Sequence, residues 1–236
     1  GEELSVDNEL LTKIREEFDF NEMTIIQKIY ENAGSTIDTF SNEFKLLVAW
    51  NNLAVDIDFD DERVKDLGKE DCKVTIEKED LEESMKEIFG SNVKYIDESF
   101  DNTDDETFPQ FNPTKTGMVT YSNGSYTASF IEGGGFGYPF IDEYVVNGIK
   151  YSDRVEIFVK TAFVRYEGQV GYDDFIIYKD YEDGEMKNKI NTISVSNGED
   201  FVVSEDIKNN LNTFKYTFNL DNTTGEYYFA GFDIVK

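Results

Sequence analysis

Thr213-Phe-Lys-Tyr-Thr-Phe-Asn-Leu220 and, after a short polar break, Tyr227-Tyr-Phe-Ala-Gly-Phe-Asp-Ile234 close the chain. In the first run Phe214, Tyr216, Phe218 and Leu220 recur at every second position, which places them on one face of a strand. The same period groups Tyr228, Ala230, Phe232 and Ile234 in the second run, so the two predict a long terminal hairpin with an aromatic face. Upstream, Asn123-Gly124, Asn147-Gly148, Asp183-Gly184 and Asn197-Gly198 each lie between β-rich runs. Asx-Gly supplies the positive φ angles of two-residue hairpin turns, so the four pairs predict an antiparallel meander. Between Val155, Ile157, Val159 and Ala162, Val164, Tyr166 the apolar phase slips, which predicts either a bulge or a strand buried on both faces. Ser204, Ile207 and Leu211 read as one short helix before the final hairpin.

The N-terminal text has the other period. Leu10, Leu11, Ile14 and Phe18 share a helical face after Asp7, the expected cap, and Met23, Ile26, Ile29 and Tyr30 repeat that spacing before Gly34. A third helix carries Ile37, Phe40, Phe44, Leu47 and Val48 on its stripe and ends near Asn52, with Trp50 expected in the core. A short strand is expected over 55–59 and another around Val74 and Ile76, followed by a helix with Leu81, Met85, Ile88 and Phe89 inward and Gly90 as its stop. The stretch 101–113 has no period and reads as a long loop. The fold class is α+β: an N-terminal helical layer (1–70) packed on a mostly antiparallel meander sheet (71–236), the two forming one unit.

Composition narrows the chemistry more than any motif does. Among 236 residues, 22 Lys and Arg stand against 50 Asp and Glu, a formal net charge of −28, which opposes nucleic acid and anionic membrane surfaces. The chain has no His, which removes Ser-His-Asp, Cys-His and imidazole–metal chemistry. At 15% aromatic and 39% hydrophobic it is nevertheless a folding sequence. Apolar runs such as 46–50 are far short of the roughly 20 residues of a membrane-spanning helix. A single cysteine, Cys72, precludes an internal disulfide framework and reads as a structural thiol.

Three groups are candidates for chemistry. Asp56, Asp58 and Asp60 have the one-three-five carboxylate spacing that opens a Ca²⁺-binding EF-hand loop, but Asp61 stands where the sharp turn needs Gly and Leu67 where a bidentate Glu belongs. With Asp101 and Asp105 from a second acidic stretch they are candidate ligands of a weak Ca²⁺ site, and solvated loops are the plainer reading. Gly133, Gly134, Gly135, Phe136 and Tyr138 form a glycine-rich aromatic segment suited to the rim of a ligand site. It lacks the Gly-Lys-Ser/Thr of a phosphate loop, so no nucleotide cofactor is expected. Glu132 with Asp142 or Glu143 can be written as a glycosidase pair, although at this carboxylate density many pairs can.

In Ile88-Phe89-Gly90, the triple glycine at Gly133, and the closing Thr213-Phe-Lys-Tyr-Thr-Phe with Tyr227-Tyr-Phe, the chain resembles uncharacterised exported or lipoprotein-type domains of low-GC Gram-positive bacteria, over about 74–236. The final hairpin is also similar to the ending of cone-shaped α+β folds of the nuclear-transport-factor-2 or cystatin type. The opening at Gly1 reads as a processed or trimmed chain. The resemblance implies an extracellular or surface-anchored location. The function expected from all this is a monomeric, non-catalytic binding module for a small molecule, glycan or peptide, the alternative being a carboxylate-based hydrolase. No catalytic residue and no cofactor beyond weak Ca²⁺ is assigned.

Overall fold

The structure is a computed structural model describing residues 1–21, 25–66, 72–102, 117–130 and 139–236. In chain order the elements are β1 (Glu2–Leu4), α1 (Glu9–Glu17), α2 (Ile26–Glu31), β2 (Ser35–Thr36), α3 (Asn42–Ala54), β3 (Val64–Asp66), β4 (Cys72–Glu77), α4 (Lys78–Phe89), β5 (Phe100–Asn102), β6 (Gly117–Ser122) and β7 (Ser125–Phe130). The second half adds β8 (Phe140–Lys150), β9 (Arg154–Gly168), β10 (Tyr172–Glu182), β11 (Glu185–Ser196), α5 (Glu205–Asn209), β12 (Thr213–Leu220) and β13 (Tyr227–Val235). The class is α+β with antiparallel sheets. One sheet runs β1-β8-β9-β12-β13-β2 with β10 and β11 branching from β9, and the other runs β3-β4-β7-β6-β5. The 1–70 part is thus not helical alone, since β1 and β2 edge the large sheet and β3 edges the small one.

The fork explains the phase slip in β9. Residues 154–160 pair with β12 and 163–168 with β10, so the strand passes from one neighbour to the next. Where it crosses, Thr161, Ala162, Phe163 and Val164 are all buried. Phe163 packs into the main core with Tyr30 and Phe214, while Ala162 and Val164 face a smaller cluster with Ile207 and Leu211 beneath α5. Of the two readings of the slip, burial on both faces is the one seen. The main core continues from α1 and α2 through the terminal hairpin to α3, α4 and the small sheet, with Trp50 fully buried.

Several local expectations are corrected. Asn8, not Asp7, caps α1, its side chain accepting from the Leu10 N–H at 2.9 Å. Residues 55–59 form turns instead of a strand, because Ile57 alone tucks inward while Asp56, Asp58 and Phe59 face solvent. Asp101 and Asn102 belong to β5, and residues 103–116 lie outside the described residues. Asn123-Gly124 and Asp183-Gly184 do turn hairpins, with φ of 51° and 81°, and 55° and 76°. Asn147-Gly148 instead lies inside β8 beside a register shift, where a Cβ on Gly148 would come within 2.6 Å of Leu11 on α1. Asn197-Gly198 ends β11 and leads towards α5.

The correction that matters most is in the terminal hairpin. Phe214, Tyr216 and Phe218 face the core as their alternation requires. In β13 the register jumps from Thr217↔Gly231 to Phe218↔Phe229, which inserts Ala230 as an extra residue. Beyond that bulge the phase reverses, so Phe229 enters the core and Tyr228 leaves it.

Candidate functional site

Tyr228 leaves the core at the C-terminus of α4. This helix forms because Leu81, Met85, Ile88 and Phe89 give it a buried stripe and because Glu79 and Asp80 meet the positive end of its dipole. It stops at Gly90, whose φ of 90° disfavours any side chain and whose missing Cβ leaves room for the Tyr228 ring, 3.0 Å from where that atom would sit. The next residue ties the helix to the hairpin: the Ser91 N–H donates to Asp221 Oδ2 at 2.7 Å. Asp221 Oδ1 accepts from the Thr223 N–H at 2.8 Å, closing the hairpin turn on itself. Ser91, whose N–H donates to it, holds the Asp221 carboxyl down at about 2, aided by the turn amides and against its own burial.

Two cavities flank this junction and share Gly90, Ser91, Asp221 and Tyr228. One, of about 490 Å³, extends beside Lys45 and Lys94. The other, of about 510 Å³, opens between the outer face of α4, the end of α1 and the hairpin turn, with Tyr227 and Tyr228 lining it. Seven carboxylates and a single lysine line this second groove. Glu82 pairs with Lys86 at 2.6 Å, and Glu226 reaches Lys13 at 3.2 Å. Among the described residues the side chains of Glu17, Glu79, Glu83 and Glu87 enter no ion pair and no hydrogen bond. Burial raises the Glu17 carboxyl above its ordinary value, with Glu226 and Glu87 adding and Lys13 opposing; burial and then Glu83 raise that of Glu87. This groove has the means to hold a cation or a polar ligand with a flat face.

A second carboxylate centre lies in the large sheet and has no such spare capacity. Glu143 on β8 points between the sheet and the N-terminal helices, its side chain only 2% exposed. Its Oε1 accepts from Arg15 at 2.9 Å, and its Oε2 accepts from the Tyr30 and Tyr216 hydroxyls at 2.6 and 2.7 Å. Thr161 Oγ1 stands 2.5 Å from the Tyr30 oxygen. Burial and then Glu143 push both phenols well above their usual range, and Glu143 keeps the Arg15 guanidinium charged against its burial. Its neighbour Asp142 accepts from Tyr144 at 2.7 Å. Successive strand residues face opposite sides of the sheet, so Asp142 and Glu143 do not converge on a common cleft. Glu132 lies outside the described residues.

The candidate ligands from the sequence are scattered. Asp56, Asp58 and Asp60 are exposed, and Asp58 Oδ1 serves its own turn by accepting the Asp60 N–H at 3.1 Å. Asp101 is exposed on β5, and Asp105 lies outside the described residues. Among the described residues no three acidic or thiol side chains gather to hold a metal ion. Gly133, Gly134, Gly135, Phe136 and Tyr138 lie outside the described residues, and only Pro139 of that segment is placed.

Comparison with family models, curated proteins and solved structures returns no match. The groove and the Glu143 centre therefore rest on their own geometry. Both had a signal in the sequence. Ile141, Glu143 and Val145 share one strand phase, so Glu143 is a charge in an apolar column. Glu79, Glu83 and Glu87 repeat every four residues, an arrangement that costs an isolated helix a few tenths of a kcal/mol per like-charged pair.

Proposed function

We propose that the chain is a non-catalytic binding module, and that its ligand lies in the groove between α4 and the terminal hairpin. One observation carries this reading: the same groove combines unpaired carboxylates with the Tyr227 and Tyr228 rings. Carboxylates without partners, kept together at a cost to the helix, are what a ligand of opposite charge would relieve. The hydrolase alternative finds less support, since a general acid or nucleophile needs a carboxylate free to exchange protons or attack, and the acceptor positions of Glu143 are taken by Arg15, Tyr30 and Tyr216.

An exported or surface-anchored bacterial setting belongs to the same proposal. It draws on the resemblance, on the net charge of −28 and on the single cysteine. The cone-like form of the nuclear-transport-factor-2 or cystatin type is likewise proposed, supported by a large antiparallel sheet whose strands pack on α1 and α2. The test is a screen of glycans and peptides against the parent and Tyr228→Ala, run alongside chromogenic glycosides. Binding that Tyr228→Ala abolishes, with no turnover, is expected. Turnover, or binding indifferent to Tyr228, overturns the reading.

A further inference from the structure

Resting on the groove as the binding site, we propose that its ligand is an extended basic peptide with Lys or Arg at alternate positions. The spacing of the carboxylates carries the inference. Glu79, Glu83 and Glu87 follow one another by four residues along α4, which at a rise of about 1.5 Å per residue sets them about 6 Å apart. In an extended peptide, side chains on one face recur every second residue, about 6.6 Å apart. Three basic side chains on one face of a strand therefore meet three carboxylates on one face of the helix, nearly in register. Residues between them would lie towards Tyr227 and Tyr228, whose rings also accept a guanidinium on their faces.

The basic run is bounded on one side. Towards α1 the groove continues with Glu17, and past Gly90 the neighbouring cavity presents Lys45 and Lys94. There Lys45 and Lys94 are matched by Asp38 and Asp221, so the excess of carboxylates that favours a cationic side chain is confined to the groove along α4. Lys86 is the one cation in the groove, and it is engaged by Glu82. A polyamine offers the same charge without backbone or side chains to lie against the rings.

The experiment titrates the full chain with Ser-Lys-Ser-Lys-Ser-Lys-Ser, with its blocked isomer Lys-Lys-Lys-Ser-Ser-Ser-Ser, and with spermine. Three exposed ion pairs in register are worth about tenfold in affinity. The alternating peptide is expected to bind about tenfold more tightly than either of the others, and Glu79→Gln/Glu83→Gln/Glu87→Gln is expected to abolish that margin. An exposed control of equal charge change, Glu199→Gln/Asp200→Asn/Glu205→Gln, is expected to preserve it. Equal affinity for the three probes, or equal loss in both triple variants, overturns the proposal by reducing it to the general field of an acidic protein. If the alternating peptide fails while a neutral peptide or glycan binds in a Tyr228-dependent manner, the basic-peptide proposal falls and the groove reading survives. If no probe depends on Tyr228, both fall.

Discussion

Glu143 and the Glu79–Glu83–Glu87 row are carboxylates in the same molecule with opposite settings. Glu143 is buried, and its oxygens accept from an arginine and two tyrosine hydroxyls. The side chains of the α4 row face a groove and enter no ion pair among the described residues. A buried carboxylate must bring its partners with it, since the cost of desolvation is recovered only when its lone pairs are filled. Such a centre joins elements together: here it links α1, α2, β8 and β12. An exposed row needs no partner to fold, so it stays available to something outside the chain.

The largest expected effect is on the paired side of that contrast. Glu143→Ala strands the Tyr216 hydroxyl from its carboxylate, leaves that of Tyr30 with Thr161 alone and leaves Arg15 uncompensated, and it is expected to destabilise by about 3–5 kcal/mol in denaturant melts. A loss within about 0.5 kcal/mol, the range of ordinary surface substitutions, would remove the distinction between the two carboxylate settings.

The phase reversal at Ala230 is tested next. Phe229→Ala empties a fully buried aromatic site and is expected to cost about 3–5 kcal/mol, with Tyr228→Ala costing well under half as much. Equal costs would mean that no bulge separates the two residues.

Asp221 lies between these extremes, since its ties to Ser91 and Thr223 close the junction beneath the groove. Asp221→Ala is expected to lose about 1–2 kcal/mol, the scale of hydrogen bonds to a charged group. Its native pKa is depressed, so this stabilisation is present above the unfolded aspartate value of about 3.9 and lost as pH falls towards about 2. The parent is therefore expected to lose stability through that window more steeply than the variant, and parallel acid titration curves would contradict the assignment.

The smallest effect is expected on the unpaired side. Glu83→Gln/Glu87→Gln removes like-charge neighbours without removing a bond and is expected to leave stability unchanged or raise it by a few tenths of a kcal/mol. A clear loss would show that the row is structural.

The sequence made some of this contrast legible. Period-two alternation located β12, helical spacing located α4 with its Gly90 stop, and the slip in β9 marked the strand where the sheet forks. The phase of β13 was not readable, because a bulge inserts one residue without changing composition, and Tyr228 and Phe229 are interchangeable in a hydrophobic pattern. That one residue decides which ring lines the groove. Glu143 and Arg15 were separable from other charges only by the strand and helix faces they share with apolar neighbours, and their meeting is long-range, 128 residues apart. The Asx-Gly rule failed at Asn147-Gly148 because close approach of Leu11, and not a turn, is what the glycine serves there.

The most direct test of the groove is to map, residue by residue, the backbone amide shifts of the chain as Ser-Lys-Ser-Lys-Ser-Lys-Ser is added. The expected result is a contiguous set of changes over α4, Gly90, Ser91, Tyr227 and Tyr228. Changes spread over the acidic surface at large, or centred on 133–139 with α4 untouched, would contradict it.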